Sequence, residues 1–257
     1  MCRLLGYFGT PIALEQLLHE PEHSLIVQSY QPKEMTAGLL NADGFGFGWY
    51  HPHKPDAPYT YRSTQPIWSD PNLPSLSRYV ESPCILANVR SATPGLAVDL
   101  SNCQPFQSGR LLFVHNGFIE SFRKTLYRPI RDRLSDLAYQ TIHGLTDSEH
   151  IFGLFLDAFS ETANLQAALL RTLEILTELS TQHRSDFSAN LIVSDGQELV
   201  ACRYASRDPL PTLYWLQDGQ STVIASEPFY EGSWQPFREH SLLRVGHDQT
   251  LTIESIG

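Results

Sequence analysis

No apolar run in these 257 residues approaches the roughly 20 that a membrane-spanning helix needs. The opening stretch, Met1-Cys2-Arg3-Leu4-Leu5-Gly6-Tyr7, is too short in apolar length to be a signal peptide. Cysteine is scarce: Cys2, Cys84, Cys103 and Cys202 show neither metal-ligand nor redox-pair spacing, so a reducing cytoplasm is the expected compartment. The ten histidines form no His-Glu-x-x-His or similar set, which argues against a metal. Asp43-Gly44-Phe45-Gly46 lacks the glycine spacing and following helix of a dinucleotide loop, which excludes phosphate binding there. Basic charge is in short supply, with 18 Lys and Arg against 28 Asp and Glu and a formal net charge of -10. That balance argues against an electrostatic grip on nucleic acid or anionic lipid, and no partner of either kind is expected. There is no internal repeat, low-complexity segment or convincing linker, so one domain over residues 1–257 is expected.

What is present suffices for a core: 42% hydrophobic and 11% aromatic residues. Residues 84–89 and 111–114 read as buried strands. Residues 44–50 alternate glycine with aromatics, as a strand does when another layer packs closely on its glycine face. Residues 51–82, rich in Pro, Asp and Ser, read as an excursion over the surface. Thr146-Asp147-Ser148-Glu149 has the form of a capping box leading into a helix over 150–160. A second helix follows over about 165–179, with Leu165, Leu169, Leu173 and Leu176 on one stripe. Asp195-Gly196 and Asp218-Gly219 mark two hairpins, over 191–204 and 213–225, and the last strands fall near 242–245 and 251–253. Strands, two central helices and more strands imply an α+β layered fold.

Cys2 is the most informative position. Aminopeptidases remove Met1 before a small residue, and removal would leave a thiol and a free α-amine on one residue. An α-amine titrates near pH ~8, so it can take the proton of its own side chain. The plain alternative is a small buried hydrophobe. His115-Asn116-Gly117 ends an apolar strand: an Asn amide and a nearby backbone N–H could stabilise a developing oxyanion, with glycine permitting close approach or positive φ. Asn-Gly after a strand is equally a hairpin-turn signal. Arg90 could grip a substrate carboxylate bidentately, or form an ordinary ion pair. Asp147, in a helix's first turn, could receive an ammonium group, or simply complement the helix dipole. His115 and His143 read as packed or capping residues. Trp49, Trp68 and Trp234 could stack on a leaving group or belong to the core.

Taken in order behind a second-position cysteine, several segments resemble the class II glutamine amidotransferases, a branch of the N-terminal-nucleophile hydrolases. They are Met1-Cys2, Asp43-Gly44-Phe45-Gly46, Arg90-Ser91-Ala92-Thr93-Pro94-Gly95, Asn102-Cys103-Gln104-Pro105-Phe106, Phe113-Val114-His115-Asn116-Gly117 and Thr146-Asp147-Ser148-Glu149. The resemblance implies a four-layer αββα sandwich and a mature chain beginning at Cys2. It implies Cys2 as nucleophile with its own amine as base, and Asn116 and Gly117 as oxyanion hole. Arg90 and Asp147 would hold the α-carboxylate and α-ammonium of a glutamyl group, with Thr93 and Gln104 completing substrate binding. No cofactor is implied.

Synthase-linked members carry Arg-Trp-Ala-Thr-His-Gly where this chain has residues 90–95, and a histidine where Gln104 stands. Those departures point toward stand-alone amidases of small γ-glutamyl compounds. Residues 61–71, 90–95 and 225–228 resemble the ergothioneine-biosynthesis amidohydrolases, which remove glutamate from γ-glutamyl-hercynylcysteine sulfoxide. Little chain remains to build a second site where ammonia meets an acceptor, so hydrolysis is the leading expectation. The alternatives are a glutaminase subunit feeding a partner synthase, a glutathione-related γ-glutamyl amidase, and a non-catalytic sensor of γ-glutamyl metabolites.

Overall fold

The computed structural model describes residues 2–35, 38–54, 57–92 and 98–257. The chain opens with β1 (Arg3–Ala13), α1 (Glu15–Leu18), α2 (Leu25–Tyr30), β2 (Phe45–Trp49), β3 (Tyr59–Ser63), α3 (Leu73–Tyr79) and β4 (Glu81–Val89). It continues with β5 (Phe106–Ser108), β6 (Leu111–Ile119), α4 (Tyr127–Arg131), α5 (Asp136–Gln140), α6 (Asp147–Thr162) and α7 (Leu165–His183). It closes with β7 (Phe187–Ser194), β8 (Leu199–Ala205), β9 (Tyr214–Asp218), β10 (Ser221–Ala225), β11 (Gln235–Pro236), β12 (Ser241–Val245) and β13 (Leu251–Ser255). Two sheets result, in the orders β11-β9-β10-β1-β4-β2-β3 and β13-β12-β8-β7-β6-β5.

Alternation along the strands explains the layers, since successive side chains of a strand face opposite ways. In β1, Leu4 joins an inner cluster with Leu86, Leu112, Val114 and Ile192, while Leu5 joins an outer one with Leu17, Leu25 and Leu73 of α1, α2 and α3. In β6, Val114 faces inward, while Phe113 packs outward with Phe152, Phe155 and Leu169 of α6 and α7. The order is therefore helix, sheet, sheet, helix, which is the αββα sandwich expected. Each inward leucine or isoleucine so enclosed contributes about 1.5–3 kcal/mol. The glycine face of β2 lies against the other sheet as its pattern implied: a Cβ on Gly48 would come 2.9 Å from the Leu112 methyls, and one on Gly46 would overlap the Gln104 carbonyl.

Three sequence expectations change. Residues 51–82 are not a bare excursion: β3 extends the sheet, and Ile67 and Leu73 are buried beneath it. The first-turn motif of α6 is half a capping box. Thr146 Oγ1 accepts the Glu149 amide at 3.3 Å, but the Glu149 carboxylate turns away to accept His143 N and Gly144 N at 2.8 and 2.6 Å. Asn116-Gly117 is not a hairpin turn: both residues lie inside β6, paired with Asn190 and Ala189 of β7. The turns at Asp195-Gly196 and Asp218-Gly219 do form, with both glycines at positive φ. Among the described residues, no helix is long and apolar enough to cross a membrane.

Candidate active site

The candidate residues are drawn from both sheets. In the β1–β4 ladder Arg3 pairs with Val89, so the next step of the register sets Cys2 opposite Arg90. Cys2 is half-buried and its Sγ lies 3.9 Å from the Ser91 carbonyl. The other three cysteines are buried, and burial pushes the Cys84 and Cys202 thiols up to about 12 and raises Cys103 as well. Cys2 is thus the accessible thiol of the chain.

Arg90 is buried, yet it makes no salt bridge among the described residues. Its Nη1 donates to the Asp43 carbonyl at 3.1 Å, and the Asp43 carboxylate accepts Ala92 N at 2.8 Å. Asp43 N and Arg90 N complete the brace by donating to Arg90 O and Gly44 O at 3.1 and 2.8 Å. Gly44, at φ +111, admits the close approach of the Cys103 sulfur, which a Cβ would meet at 2.6 Å. Thr93, Pro94 and Gly95 lie outside the described residues.

The facing sheet supplies Asn116, which is fully buried on the inner side of β6, the parity it shares with Val114. Neither end of its carboxamide has a hydrogen-bond partner among the described residues. An unsatisfied buried amide costs about 1–3 kcal/mol, so its tolerance in the interior of a strand needs a reason other than stability. Two more inward carboxamides share the condition: both ends of Asn88, and Oδ1 of Asn190. Asn190 Nδ2, by contrast, donates to Pro211 O and Thr212 O. Gly117 is not among the described glycines at positive φ. Its requirement is space, because a Cβ there would overlap Ser188 O and come 2.5 Å from His115 Nε2.

Both flanks of Asn116 are pinned. Gln104 places its carboxamide against the His115 backbone, Nε2 donating to His115 O at 3.1 Å and Oε1 accepting His115 N at 2.5 Å. Expected as a substrate contact, Gln104 is occupied as a brace. Asp147 Oδ2 accepts Ile119 N at 2.8 Å and its Oδ1 accepts Ser148 N at 2.8 Å, which ties the end of β6 to the first turn of α6. His115 Nδ1 and Ser148 Oγ are 2.8 Å apart, and Nε2 lies 3.2 Å from Ser188 O. Burial lowers the His115 pKa below its ordinary value despite the nearby Asp147. His115 is packed as expected, whereas the His143 side chain is exposed. Trp49 and Trp234 pack against the outer core, and Trp68 is exposed, edge-on to Tyr30 at 5.8 Å.

Sequence reasoning passed over Arg3, Glu227 and His23, a buried polar cluster directly behind Cys2. The one signal was parity: an arginine at a core-facing position of an otherwise apolar strand. A basin of about 920 Å³, lined by Phe8, Gly9, Tyr50, His53, Arg110 and Gly196 among others, belongs to the opposite end of the sandwich. Along β1 it begins some six residues, roughly 20 Å, from Cys2 and takes no part in this constellation.

A family model described as class-II glutamine amidotransferases matches residues 1–243. The γ-glutamyl-hercynylcysteine sulfoxide hydrolase of Mycobacterium tuberculosis is 31% identical over 246 residues, covering 95% of this chain and 93% of that protein. A probable glutamine amidotransferase of Saccharomyces cerevisiae is 29% identical over 304 residues, covering 100% of this chain and 84% of that protein. The solved structure of a glutamine aminotransferase class-II domain protein from Silicibacter pomeroyi matches with a TM-score of 0.73 and 28% identity, over 99% of both chains.

Proposed function

This chain belongs to the class-II glutamine amidotransferases, a family of cysteine-nucleophile amidohydrolases, and on that premise we propose that it hydrolyses the side-chain amide of a small γ-glutamyl conjugate. The substrate we favour is γ-glutamyl-hercynylcysteine sulfoxide, on the strength of the mycobacterial relatives. The acting unit is one domain that begins at Cys2 once Met1 has been removed. The observation that carries the reading is Asn116, a buried carboxamide without a partner among the described residues, held inside β6 on the sheet that faces Cys2.

In this mechanism the α-amine of Cys2 takes the thiol proton and Sγ attacks the γ-carbonyl carbon. Negative charge moves to the carbonyl oxygen, where Asn116 Nδ2 and the Gly117 N–H donate to it. The ammonium then returns its proton to the departing nitrogen as the C–N bond breaks, which leaves a γ-glutamyl thioester. Water, deprotonated by the same amine, attacks the thioester; glutamate leaves and the thiol is restored. Arg90 binds the α-carboxylate and Asp147 the α-ammonium. Each Asp147 oxygen already accepts one backbone N–H, and a carboxylate oxygen has a second lone pair to offer. A substrate lacking either charge would leave the buried Arg90 or the half-buried Asp147 unmatched, which makes the clamp a source of specificity. Gln104 acts indirectly, by fixing the strand that carries Asn116.

The yeast relative bears the name of a glutamine amidotransferase, which favours a second reading in which glutamine is the amide consumed. The deciding experiment is a panel of γ-glutamyl amides, glutamine included, assayed with protein shown by mass spectrometry to lack Met1 and with its Cys2→Ala variant. Glutamate release from the conjugate, absent in the variant, supports the proposal. Dominant glutamine turnover replaces it with the second reading, and activity that survives in Cys2→Ala refutes both.

A further inference from the structure

Arg3 is wholly buried one residue behind Cys2. Its Nε donates to the Cys2 carbonyl at 2.8 Å and its Nη1 to Glu227 Oε1 at 2.9 Å. Glu227 is buried too, and it accepts three further donors: His23 Nε2 and Lys33 N at 2.8 Å each, and Glu34 N at 3.0 Å. The carboxylate is thereby saturated and cannot swing away from Arg3. Burial alone would raise the Glu227 pKa, yet these donors bring it below the ordinary carboxylate value. A buried ion pair is commonly no more stabilising than apolar packing of the same volume, so stability is a poor account of this one.

We infer that Arg3, locked by Glu227, is the positioning residue of the nucleophile, holding the Cys2 main chain in register so that its amine and thiol leave Cα in the directions that attack requires. The inference rests on the reading of Cys2 as a nucleophile served by its own amine. One physical link carries it. Fixing the carbonyl fixes rotation about the Cys2 Cα–C bond, and with it the directions in which the amine and Sγ leave Cα. Glu227 is the partner that keeps the guanidinium in place. The other ionisable groups facing this corner are Arg90, Arg62, Asp99 and the Cys103 thiol on one side, and Glu34 and His23 on the other, with Tyr214 donating to Glu34 at 2.9 Å.

The test compares protein lacking Met1 with its Arg3→Lys and Glu227→Gln variants in two measurements, alkylation of Cys2 by iodoacetamide at a fixed pH and steady-state turnover of a γ-glutamyl amide. The other thiols are buried and slow, so the signal reports Cys2. Arg3→Lys keeps the charge and loses the directional Nε bond, and Glu227→Gln loosens the guanidinium. In both, kcat falls about tenfold with KM little changed, as for a misplaced reacting group, while Cys2 stays open to alkylation. Full turnover in Arg3→Lys, or a loss carried by KM alone, overturns the positioning role. Should Glu227→Gln fail to fold, Arg3→Lys still decides. An unsubstituted protein whose Cys2 is alkylated but that cleaves no γ-glutamyl amide refutes the proposed function and the inference with it, whereas an active protein with fully active variants refutes the inference alone.

Discussion

Asn116→Leu separates activity from stability. Leucine reproduces the branched outline of asparagine, so the inner face of β6 keeps its shape while the carboxamide disappears. Neither amide end of Asn116 has a partner among the described residues, so the substitution removes an unsatisfied donor and acceptor from a fully buried position. Removing such groups recovers about 1–3 kcal/mol, from which the bulkier methyls subtract part through crowding. The net expectation is a gain of roughly 1 kcal/mol, or about 2–4 °C in Tm for a domain of this size. The same change deletes one oxyanion donor and should lower kcat for a γ-glutamyl amide by about 10²–10³-fold. Thermal unfolding by calorimetry and steady-state glutamate release measure the two quantities on one sample. A variant that loses stability along with activity would show that Asn116 is an ordinary structural amide, and one that keeps activity would remove it from the oxyanion hole.

Gly117→Ala should fail outright, because the new Cβ meets the Ser188 backbone; a soluble, active variant would show that β6 and β7 separate more readily than the structure implies. Gln104→Leu removes both bonds to the His115 backbone and leaves those groups without their partners, so urea unfolding should show a loss of about 1–3 kcal/mol together with reduced kcat. Acid stability should depend on His150, which burial lowers from its ordinary value to about 4. A histidine depressed in the folded state binds more protons when unfolded, so stability falls as pH drops from about 6.5 toward 4, by on the order of 3 kcal/mol over the whole window. His150→Asn should flatten that slope in urea titrations, and an unchanged slope would assign the acid sensitivity elsewhere.

The sequence made the layers readable because strand and helix periodicities are local. The Gly-aromatic alternation of residues 44–50 disclosed both the strand and the face that another layer approaches. Leu165, Leu169, Leu173 and Leu176 disclosed the buried stripe of α7. Local signals failed where the answer depended on distant partners. Asn116-Gly117 has the composition of a turn, and only pairing with Asn190 and Ala189, more than seventy residues on, makes it strand. Gln104 is a polar side chain beside a motif, and nothing nearby shows that its amide will substitute for a strand against His115. Residues 51–82 read as surface because Pro, Asp and Ser dominate, while Ile67 and Leu73, the residues that anchor the segment, are sparse. Arg3 and Glu227, 224 positions apart, could not be joined from either end.

In the proposed site no single sheet is sufficient. Cys2 and Arg90 hang from the β1–β4 ladder, and Asn116, Gly117 and Asp147 from β6 and the start of α6. The gap between nucleophile and oxyanion donors is therefore set by the thickness of the inner apolar layer: Leu4, Leu86, Val114 and Ile192. That layer is tight at Gly6, where a Cβ would meet the Ile192 side chain at 3.2 Å, and tighter at Gly48 against Leu112. Packed interiors resist compression and pass a volume change on as displacement. Filling the layer with Gly6→Ala should push the sheets apart by a few tenths of an ångström, at a cost of about 1–3 kcal/mol in stability. Because reaction requires the attacking atom and the oxyanion donors in register at once, kcat should fall with KM little changed, although residue 6 touches neither substrate nor nucleophile. A Gly6→Ala enzyme with normal kcat would show that the sheets position their catalytic groups independently, and that the inner core serves stability alone.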